Sequence, residues 1–422
     1  MIIINKISKI ILFEKILCLF LIISLIPKKY VINNKNSELN VSEYIKNYKK
    51  NNLSQINFKY FEKEIPFIIN YVKLLRENLI IDNNLYFKII NPKITFIATV
   101  FNKEKYLKPF IYSIKNQLLK HFELIIVDDN SKDNSIQIIN EFMKKDKRIK
   151  LIQNKNNRGS LYARYIGAIH AKGEYIIFVD SDDIILKNGI EIAYNFINNN
   201  NLDMIQFHSV FELKGRVFIS RRYYKYLNVI YQPILSNIFY YDKYNGCEKN
   251  TALWDKLIKK ETVLKSLKFI GNKYLKDKII IENDVILLYS LFQNCKSYKY
   301  IDEIVYYYVI SNNDSITNTK YKPEKADQII HSIFTNINFL YEKTENSYFG
   351  KYFCIFKLFQ GWNRYEKYFT YLKDEFNLME KVLNKLLISN FISRKNKLLI
   401  STYKSDLMNY KKKLKRTTSS LL

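Results

Sequence analysis

Short apolar runs alternate, through the middle of the chain, with segments whose apolar residues recur at helical spacing. The runs cover residues 94–100, 122–127, 149–153 and 176–179. Their bulky, unbroken apolar character is typical of strands buried on both faces of a parallel sheet. Between the first two runs, Leu107, Phe110 and Ile114 follow the spacing of one helix, and a small-residue helix over residues 161–171 is suited to lying close on a sheet. This order predicts an α/β fold with a doubly wound, mostly parallel sheet and flanking helices.

Polar residues gather where these predicted strands end. They are Thr99 and Asn102 after the first run, Asp129 after the second, the loop 154–159 after the third, and Asp180, Ser181, Asp182 and Asp183 after the fourth. Because the carboxyl ends of parallel strands meet at one edge of a sheet, we expect a ligand-binding crevice there. Crowded carboxylates repel one another unless a cation neutralises them, and hard oxygen ligands suit Mg²⁺ or Mn²⁺. A solvated acidic turn is the alternative interpretation.

The amino-terminal segment is strongly apolar. Residues 16–26 form an almost unbroken run, and extension back to residue 10 brings it to the lower length limit of a transmembrane helix. We therefore predict a signal anchor or a signal peptide over residues 1–29, with a buried helix as the third interpretation. Residues 30–91 are polar and are predicted to form a stem. This organisation predicts a membrane-anchored protein of the secretory pathway, on the lumenal side, or of the cell envelope.

The composition of the chain limits the classes of partner that we expect it to bind. The chain has 422 residues, of which 48% are hydrophobic, so a substantial core can be buried. Its formal net charge is +28, but the lysines are scattered through every segment instead of gathering on one arm, which argues against specific nucleic-acid binding. The 4 cysteines lie far apart and predict neither a zinc site nor a disulfide framework. Residues 319–422 have helical texture and are predicted to form a helical extension.

Several ordered motifs resemble one family. ITFIATVFNKEKYLKPFIYSIKNQ, FELIIVDDNSKDNS and NRGSLYARYIGAIHAKGEYIIFVDSDD are similar, element for element, to the nucleotide-sugar half of the inverting glycosyltransferases of family 2, which have the GT-A fold. A weaker likeness continues through the sequences LWDKL (residues 253–257), ENDV (282–285), YYY (306–308) and SIT (315–317). The resemblance implies a GT-A domain over residues 92–318.

The resemblance also implies a donor site. The donor would be a nucleotide-diphospho-sugar, for which UDP-sugars are the expected class, and the acceptor would be a glycan, a lipid or a protein. Asp129 would contact the base, with Thr99 and Phe101 close to it. A helix N-terminal acid favoured by the helix dipole is the alternative role for Asp129. Arg164 would neutralise phosphate, or else form a salt bridge on a helix surface.

The remaining implied roles belong to acids. Asp182 would bind Mn²⁺ or Mg²⁺, with Asp180 beside the metal and the ribose and Ser181 between them. Asp284 aligns with the catalytic base of the family, and Glu282 is the second candidate. Either acid could instead cap the helix that follows.

Two features of the sequence depart from the family pattern, and two other functions compete. No histidine follows the tyrosines 306–308, so an extra metal ligand of some members is missing, and no Q-x-x-R-W motif follows, which favours single transfers over polymer synthesis. One competitor is a catalytically inactive, membrane-tethered binding protein on the same fold. The other is an Asp-nucleophile phosphatase, in which a Thr or Val would stand at the position of Ile184.

Overall fold

The computed structural model describes residues 58–77, 91–213, 216–219, 229–232, 252–309, 326–343, 376–388 and most of 397–412. The described strands are β1 (Ile94–Val100), β2 (Phe122–Asp128), β3 (Ile149–Gln153), β4 (Tyr175–Asp180), β5 (Ile184–Ile185), β6 (Met204–Leu213), β7 (Arg216–Ile219), β8 (Ile230–Tyr231), β9 (Lys256–Lys259) and β10 (Ser297–Val309). The described helices are α1 (Phe58–Arg76), α2 (Glu104–Lys115), α3 (Ser135–Lys145), α4 (Ser160–His170), α5 (Gly189–Asn199), α6 (Lys260–Ile270), α7 (Asn272–Leu275), α8 (Asn283–Asn294), α9 (Ala326–Lys343) and α10 (Phe376–Ile388).

The first half of the sheet is parallel, as the sequence predicts. The strand order is β3-β2-β1-β4-β9-β6-β10-β5, with β7 paired to β6 and β8 paired to β10. β1 lies between β2 and β4, and Thr99 stands opposite Val127 on one side and Asp180 on the other. The ends of β1, β2 and β4 therefore meet at one edge.

The second half of the sheet is mixed, so the prediction of a mostly parallel sheet is wrong there. β9 runs antiparallel to β4 and to β6, and β5 runs antiparallel to β10. Parallel neighbours need a long crossover connection, usually a helix. β6 and β10 are again parallel, and α6, α7 and α8 lie between them in the sequence, so parallel and antiparallel pairs occur together in this half.

Each face of the sheet carries an apolar core. Ile97 and Phe178 point to the face covered by α4, α6, α8 and α9, whereas Phe96 and Ile177 point to the face covered by α2 and α5. α4 lies very close to β1, because a Cβ built on Gly167 would stand 2.4 Å from Cγ2 of Ile97. This contact confirms the prediction of a small-residue helix packed tightly on the sheet.

Helix α1 packs on the same domain although it precedes the first strand. Its Ile68, Val72 and Leu75 are buried in a cluster with Ile184 and Tyr307. Part of the segment predicted as a stem is thus attached to the sheet. The predicted anchor at residues 10–26 lies outside the described residues. Within the ranges given above, no helix combines the length and the apolar character that a membrane crossing requires.

Candidate active site

The loop after β4 holds its acids in three different environments. Asp183 is 2% exposed, and its carboxylate accepts hydrogen bonds from the Tyr306 hydroxyl at 2.8 Å and from the Val309 N–H at 2.8 Å. Tyr306 also accepts the Asp180 N–H at 3.1 Å. Ser181 is buried and donates to the Thr99 carbonyl at 2.8 Å. These bonds tie the loop to β1 and to β10, and so fix the positions of Asp180 and Asp182.

Arg164 joins two acids that lie far apart in the sequence. The Arg164 side chain is 6% exposed and extends from α4 between the end of β4 and the start of α8. Nη1 donates to Asp284 Oδ1 at 2.5 Å and to Asn283 Oδ1 at 2.6 Å, and Nη2 donates to Asp180 Oδ1 at 3.3 Å. Arg164 thus forms the salt bridge of the predicted alternative, but its own side chain is buried instead of lying on a helix surface, and its contact with a phosphate stays a prediction.

Lys103 forms a further ion pair with the loop after β4, this time with Asp182. It directly precedes α2, and its Nζ lies 2.6 Å from Asp182 Oδ2, with the two side chains 17% and 15% exposed. Sequence reasoning missed this residue. The available signal was its place in the loop after β1, at the edge where the acids were expected.

Asp129 anchors the loop that follows β3. Its carboxylate accepts the backbone N–H groups of Arg158 and Gly159 at 2.9 Å and 2.7 Å, and the Asn154 amide at 2.9 Å. Gly159 has φ +84°, a conformation that favours glycine, and it ends the loop at the start of α4. The predicted contact of Asp129 with a nucleotide base therefore stays a prediction, and the described role of this carboxylate is to shape the loop. Phe101 is 45% exposed at the same edge.

The two candidate bases lie at the start of α8. Asp284 is in the first turn of the helix, where the helix dipole favours an anion. Glu282 is the N-cap residue and has a left-handed backbone with φ 51°, which is uncommon for a non-glycine residue. Its side chain makes no capping hydrogen bond. Of the two acids, Asp284 is the one that Arg164 connects to the acidic loop.

The weaker motifs of the sequence also come together. Trp254 stacks on Tyr306 with ring centroids 4.6 Å apart and on Tyr308 at 5.4 Å. Because Tyr306 forms hydrogen bonds with both Asp183 and Asp180, the stack of Trp254, Tyr306 and Tyr308 supports the acidic loop. Residues 315–317 of the expected motif lie outside the described ranges.

Two acids of the loop after β4, Asp180 and Asp183, have raised pKa values. Burial raises the pKa of Asp180 to about 6 against the opposing effect of Arg164, and the charges of Asp182 and Asp284 add to the rise. Burial also raises the pKa of Asp183 well above its usual range, with further contributions from Asp182 and Asp180. A cluster whose acids resist ionisation in this way gains from an additional cation.

The residues present fit a hard divalent cation that takes few protein ligands. No group of three or more His, Cys, Asp or Glu side chains in the described part of the chain is arranged to hold a metal ion. Mg²⁺ and Mn²⁺ accept such a site, because they keep waters and take the rest of their shell from one or two carboxylates and substrate phosphates. Asp182 and Asp180 are the two carboxylates that such an ion would use. Lys103 and Arg164 now neutralise them.

A cavity of about 280 Å³ opens beside Asp182. Arg76 of α1, Lys105 and Tyr106 of α2, and Val309 of β10 contribute to its walls. The helix that precedes the sheet therefore reaches the neighbourhood of the acidic loop.

The strand order, the acidic loop after β4 and the acid of α8 that faces it define a domain of the GT-A type. Residues 95–262 match the family described as glycosyl transferase family 2.

Curated relatives with a similar sequence carry glycosyltransferase names. An uncharacterized glycosyltransferase of Haemophilus influenzae is 44% identical over 125 residues, which are 29% of this chain and 50% of the relative. A cholesterol galactosyltransferase of Borreliella burgdorferi is 28% identical over 222 residues, which are 51% of this chain and 59% of the relative. The chain thus spans about half the length of these curated relatives.

A solved structure shares the fold. The crystal structure of S. aureus TarS 1-349 in complex with UDP-GlcNAc superposes with a TM-score of 0.53 at 18% identity, and the match covers 75% of this chain and 89% of TarS 1-349. This likeness shows the GT-A architecture beyond the region that the family match covers.

Proposed function

We propose that the protein is an inverting glycosyltransferase that moves a sugar from a UDP-sugar to an acceptor hydroxyl in a single displacement. The observation that carries the proposal is the arrangement of Asp182 and Asp180 at the end of β4, with Asp284 of α8 linked to Asp180 through Arg164. A transferase of this kind needs an anchor for the donor diphosphate and a separate carboxylate that accepts a proton. The nucleotide complex of TarS, which holds UDP-GlcNAc, supports the choice of a UDP-linked donor.

Asp284 is assigned as the general base. The acceptor hydroxyl attacks the anomeric carbon opposite the departing diphosphate and loses its proton as the bond forms. Asp284 is 27% exposed in its side chain, so an acceptor can reach it, while the helix terminus and Arg164 hold its orientation. Nη2 of the same guanidinium donates a hydrogen bond to Asp180, on the side of the sugar-donor site. Arg164 therefore fixes the spacing between the base and the donor site.

Asp182, with Asp180 beside it, would hold Mn²⁺ or Mg²⁺. When bound, such an ion stabilises the negative charge that develops on the leaving diphosphate. Asp129 holds loop 154–159 through the Gly159 N–H, and this loop, together with Thr99 and Phe101 at the end of β1, would form the nucleotide end of the crevice. The family match and the position of the acidic loop, after three βα units, favour a transferase over an Asp-nucleophile phosphatase.

The test is an assay of the purified full chain with a panel of UDP-sugars, in which mass spectrometry detects transfer to acceptors or to water. We expect release of UDP with one or few of these donors in the presence of Mn²⁺, and loss of that release in Asp182→Asn. A chain that binds UDP but releases no sugar from any donor would support the inactive binding protein. Full activity of Asp182→Asn in the presence of chelator would refute the role of Asp182.

A further inference from the structure

Lys103 already occupies the carboxylate to which the proposed function assigns a divalent cation. Its ammonium lies 2.6 Å from Asp182 Oδ2. We propose that Lys103 is an exchangeable counter-ion: it neutralises Asp182 before the donor binds, and it moves to the donor diphosphate when a divalent cation takes the carboxylate. This inference rests on the proposed function and adds a residue that positions the donor.

The backbone of Lys103 is held in place by the neighbouring loop. Its N–H donates to Ser135 Oγ at 2.9 Å, and the preceding Asn102 N–H donates to Ser131 Oγ at 2.9 Å. The Asn102 side chain also bonds to this loop: its Oδ1 accepts the Lys132 N–H at 2.8 Å. Exchange therefore involves only the flexible side chain, whose four-carbon stem rotates while the main chain stays fixed.

The burial of the pair suits a contact that forms and breaks. With side chains 17% and 15% exposed, the ammonium and the carboxylate are more shielded than a surface ion pair, so the bond is strong enough to compete with a cation. They are not fully buried, so the ammonium keeps a route to solvent. Two cations cannot share the same carboxylate oxygen without repulsion, and binding of a metal ion therefore expels Lys103.

The released ammonium has suitable partners nearby. A lysine binds phosphate as a compact charge with three rotatable donors. The Tyr106 ring centroid is 5.6 Å from Lys103 Nζ, which offers a cation–π contact to the ammonium on the same side of the loop. The diphosphate that the divalent cation brings to Asp182 supplies the anion that Lys103 loses.

The first measurement is Mn²⁺ binding without nucleotide, by titration calorimetry. Lys103→Met should bind Mn²⁺ about tenfold more tightly than the natural chain, which is the size of effect that partners of metal ligands commonly have. Lys108→Met makes the same charge change at an exposed position of α2 and should leave Mn²⁺ binding unchanged. The gain should vanish in Lys103→Met combined with Asp182→Asn. Unchanged or weaker Mn²⁺ binding in Lys103→Met would overturn the proposal.

The second measurement is UDP binding at saturating Mn²⁺. Lys103→Met should bind UDP about tenfold more weakly, whereas Lys103→Arg, which keeps the charge, should retain most of the affinity. Equal UDP affinity in Lys103→Met and the natural chain would overturn the transfer of Lys103 to the diphosphate. Circular dichroism checks the fold of each variant, and Lys103→Gln replaces Lys103→Met if the latter misfolds. A natural chain that binds no UDP would refute the proposed function, while the Mn²⁺ comparison would still decide the exchange at Asp182.

Discussion

At the scale of single residues, the site depends on the ion pairs that Arg164 forms with two carboxylates at once. Burial disfavours the charged form of Arg164, but the carboxylates of Asp284 and Asp180 outweigh that effect and raise the pKa of the guanidinium. Arg164 therefore stays charged under all ordinary conditions. Its bond to Asp284 Oδ1 orients that carboxylate, as a general base requires.

Replacement of Asp284 by asparagine separates proton transfer from binding. Asp284→Asn keeps the shape of the side chain and an oxygen for Arg164, but the amide cannot accept a proton. Turnover should therefore fall by about 10² or more, while UDP affinity stays nearly unchanged. Steady-state kinetics and UDP titration measure the two effects. Glu282→Gln is the matched control and should keep most of the turnover; the reverse result would transfer the role to Glu282.

At the scale of helices and strands, close packing of α4 on β1 holds Arg164 in place. Gly167 allows this approach, and Arg164 lies one turn before it on the same helix. Gly167→Ala would drive a methyl group into Cγ2 of Ile97 and should lower the free energy of unfolding by about 1–3 kcal/mol. Denaturant unfolding measures the loss. In an Ile97→Ala background the same substitution should cost much less, and an equal cost in both backgrounds would show that this contact is not its cause.

A polar cluster joins α7, α9 and α10. Glu342 of α9 accepts hydrogen bonds from the Tyr274 hydroxyl at 2.5 Å and from Lys273 at 3.0 Å, and it lies 3.4 Å from Lys385 of α10. Burial alone would raise the pKa of Glu342, but these bonds outweigh burial and lower it to about 2.

The lowered pKa of Glu342 gives a pH-dependent contribution to stability. A depressed carboxyl pKa stabilises the fold above the unfolded value, near 4.5, and that contribution is lost as the pH falls towards about 2. Glu342→Gln should therefore lower the melting temperature at pH 7, and the difference from the natural chain should narrow below about pH 4.5. Glu261→Gln, which removes an exposed pair with Lys265, is the control and should change little at any pH.

The sequence predicts the parallel half of the sheet well and the mixed half poorly, for a physical reason. β1, β2 and β4 are long apolar runs buried on both faces, so their pattern is visible without the partner strands. β5 has two residues, and β9 has four, of which Lys256 and Lys259 are charged. The pairing of such short strands is decided by distant neighbours, which no local pattern contains.

The same distinction applies to the site. Asp180, Asp182 and Asp129 are predicted because they follow strands whose ends must meet. The links that organise them are not predicted, because Arg164 and Asp284 are 120 positions apart and Lys103 and Asp182 are 79 apart. Sequence reasoning identified the charges, but only the fold shows which cation neutralises which acid.

At the scale of the whole molecule, α1 makes a segment outside the family match part of the domain. The cavity beside Asp182 and the cluster of Leu75 with Ile184 and Tyr307 both depend on this helix. Residues 95 and 262, the limits of the family match, therefore do not delimit an independent unit on this face of the protein.

Weaker packing of α1 should affect UDP binding at the acidic loop as well as the stability of the helix itself. Leu75 is fully buried, so Leu75→Ala should cost about 2–5 kcal/mol of packing and speed proteolytic cleavage within residues 58–77. Because Ile184 directly follows Asp183, Mn²⁺-dependent UDP binding should weaken too. Phe67→Ala changes a side chain that is 73% exposed on the same helix and should change neither measurement. Unchanged UDP binding in a Leu75→Ala protein that is cleaved faster would show that α1 does not support the loop.

The position of α1 has a consequence for synthesis of the chain. The helix leaves the ribosome before any strand of the sheet, yet the apolar face formed by Ile68, Val72 and Leu75 packs against Tyr307, which is made roughly 230 residues later. At about 5–20 residues per second, that face waits on the order of 10 to 50 s for its partner. During this interval the amphipathic helix lacks part of its binding surface, because Ile184 is made earlier than Tyr307. Full protection of residues 58–77 in ribosome-arrested chains should therefore appear only once β10 has emerged.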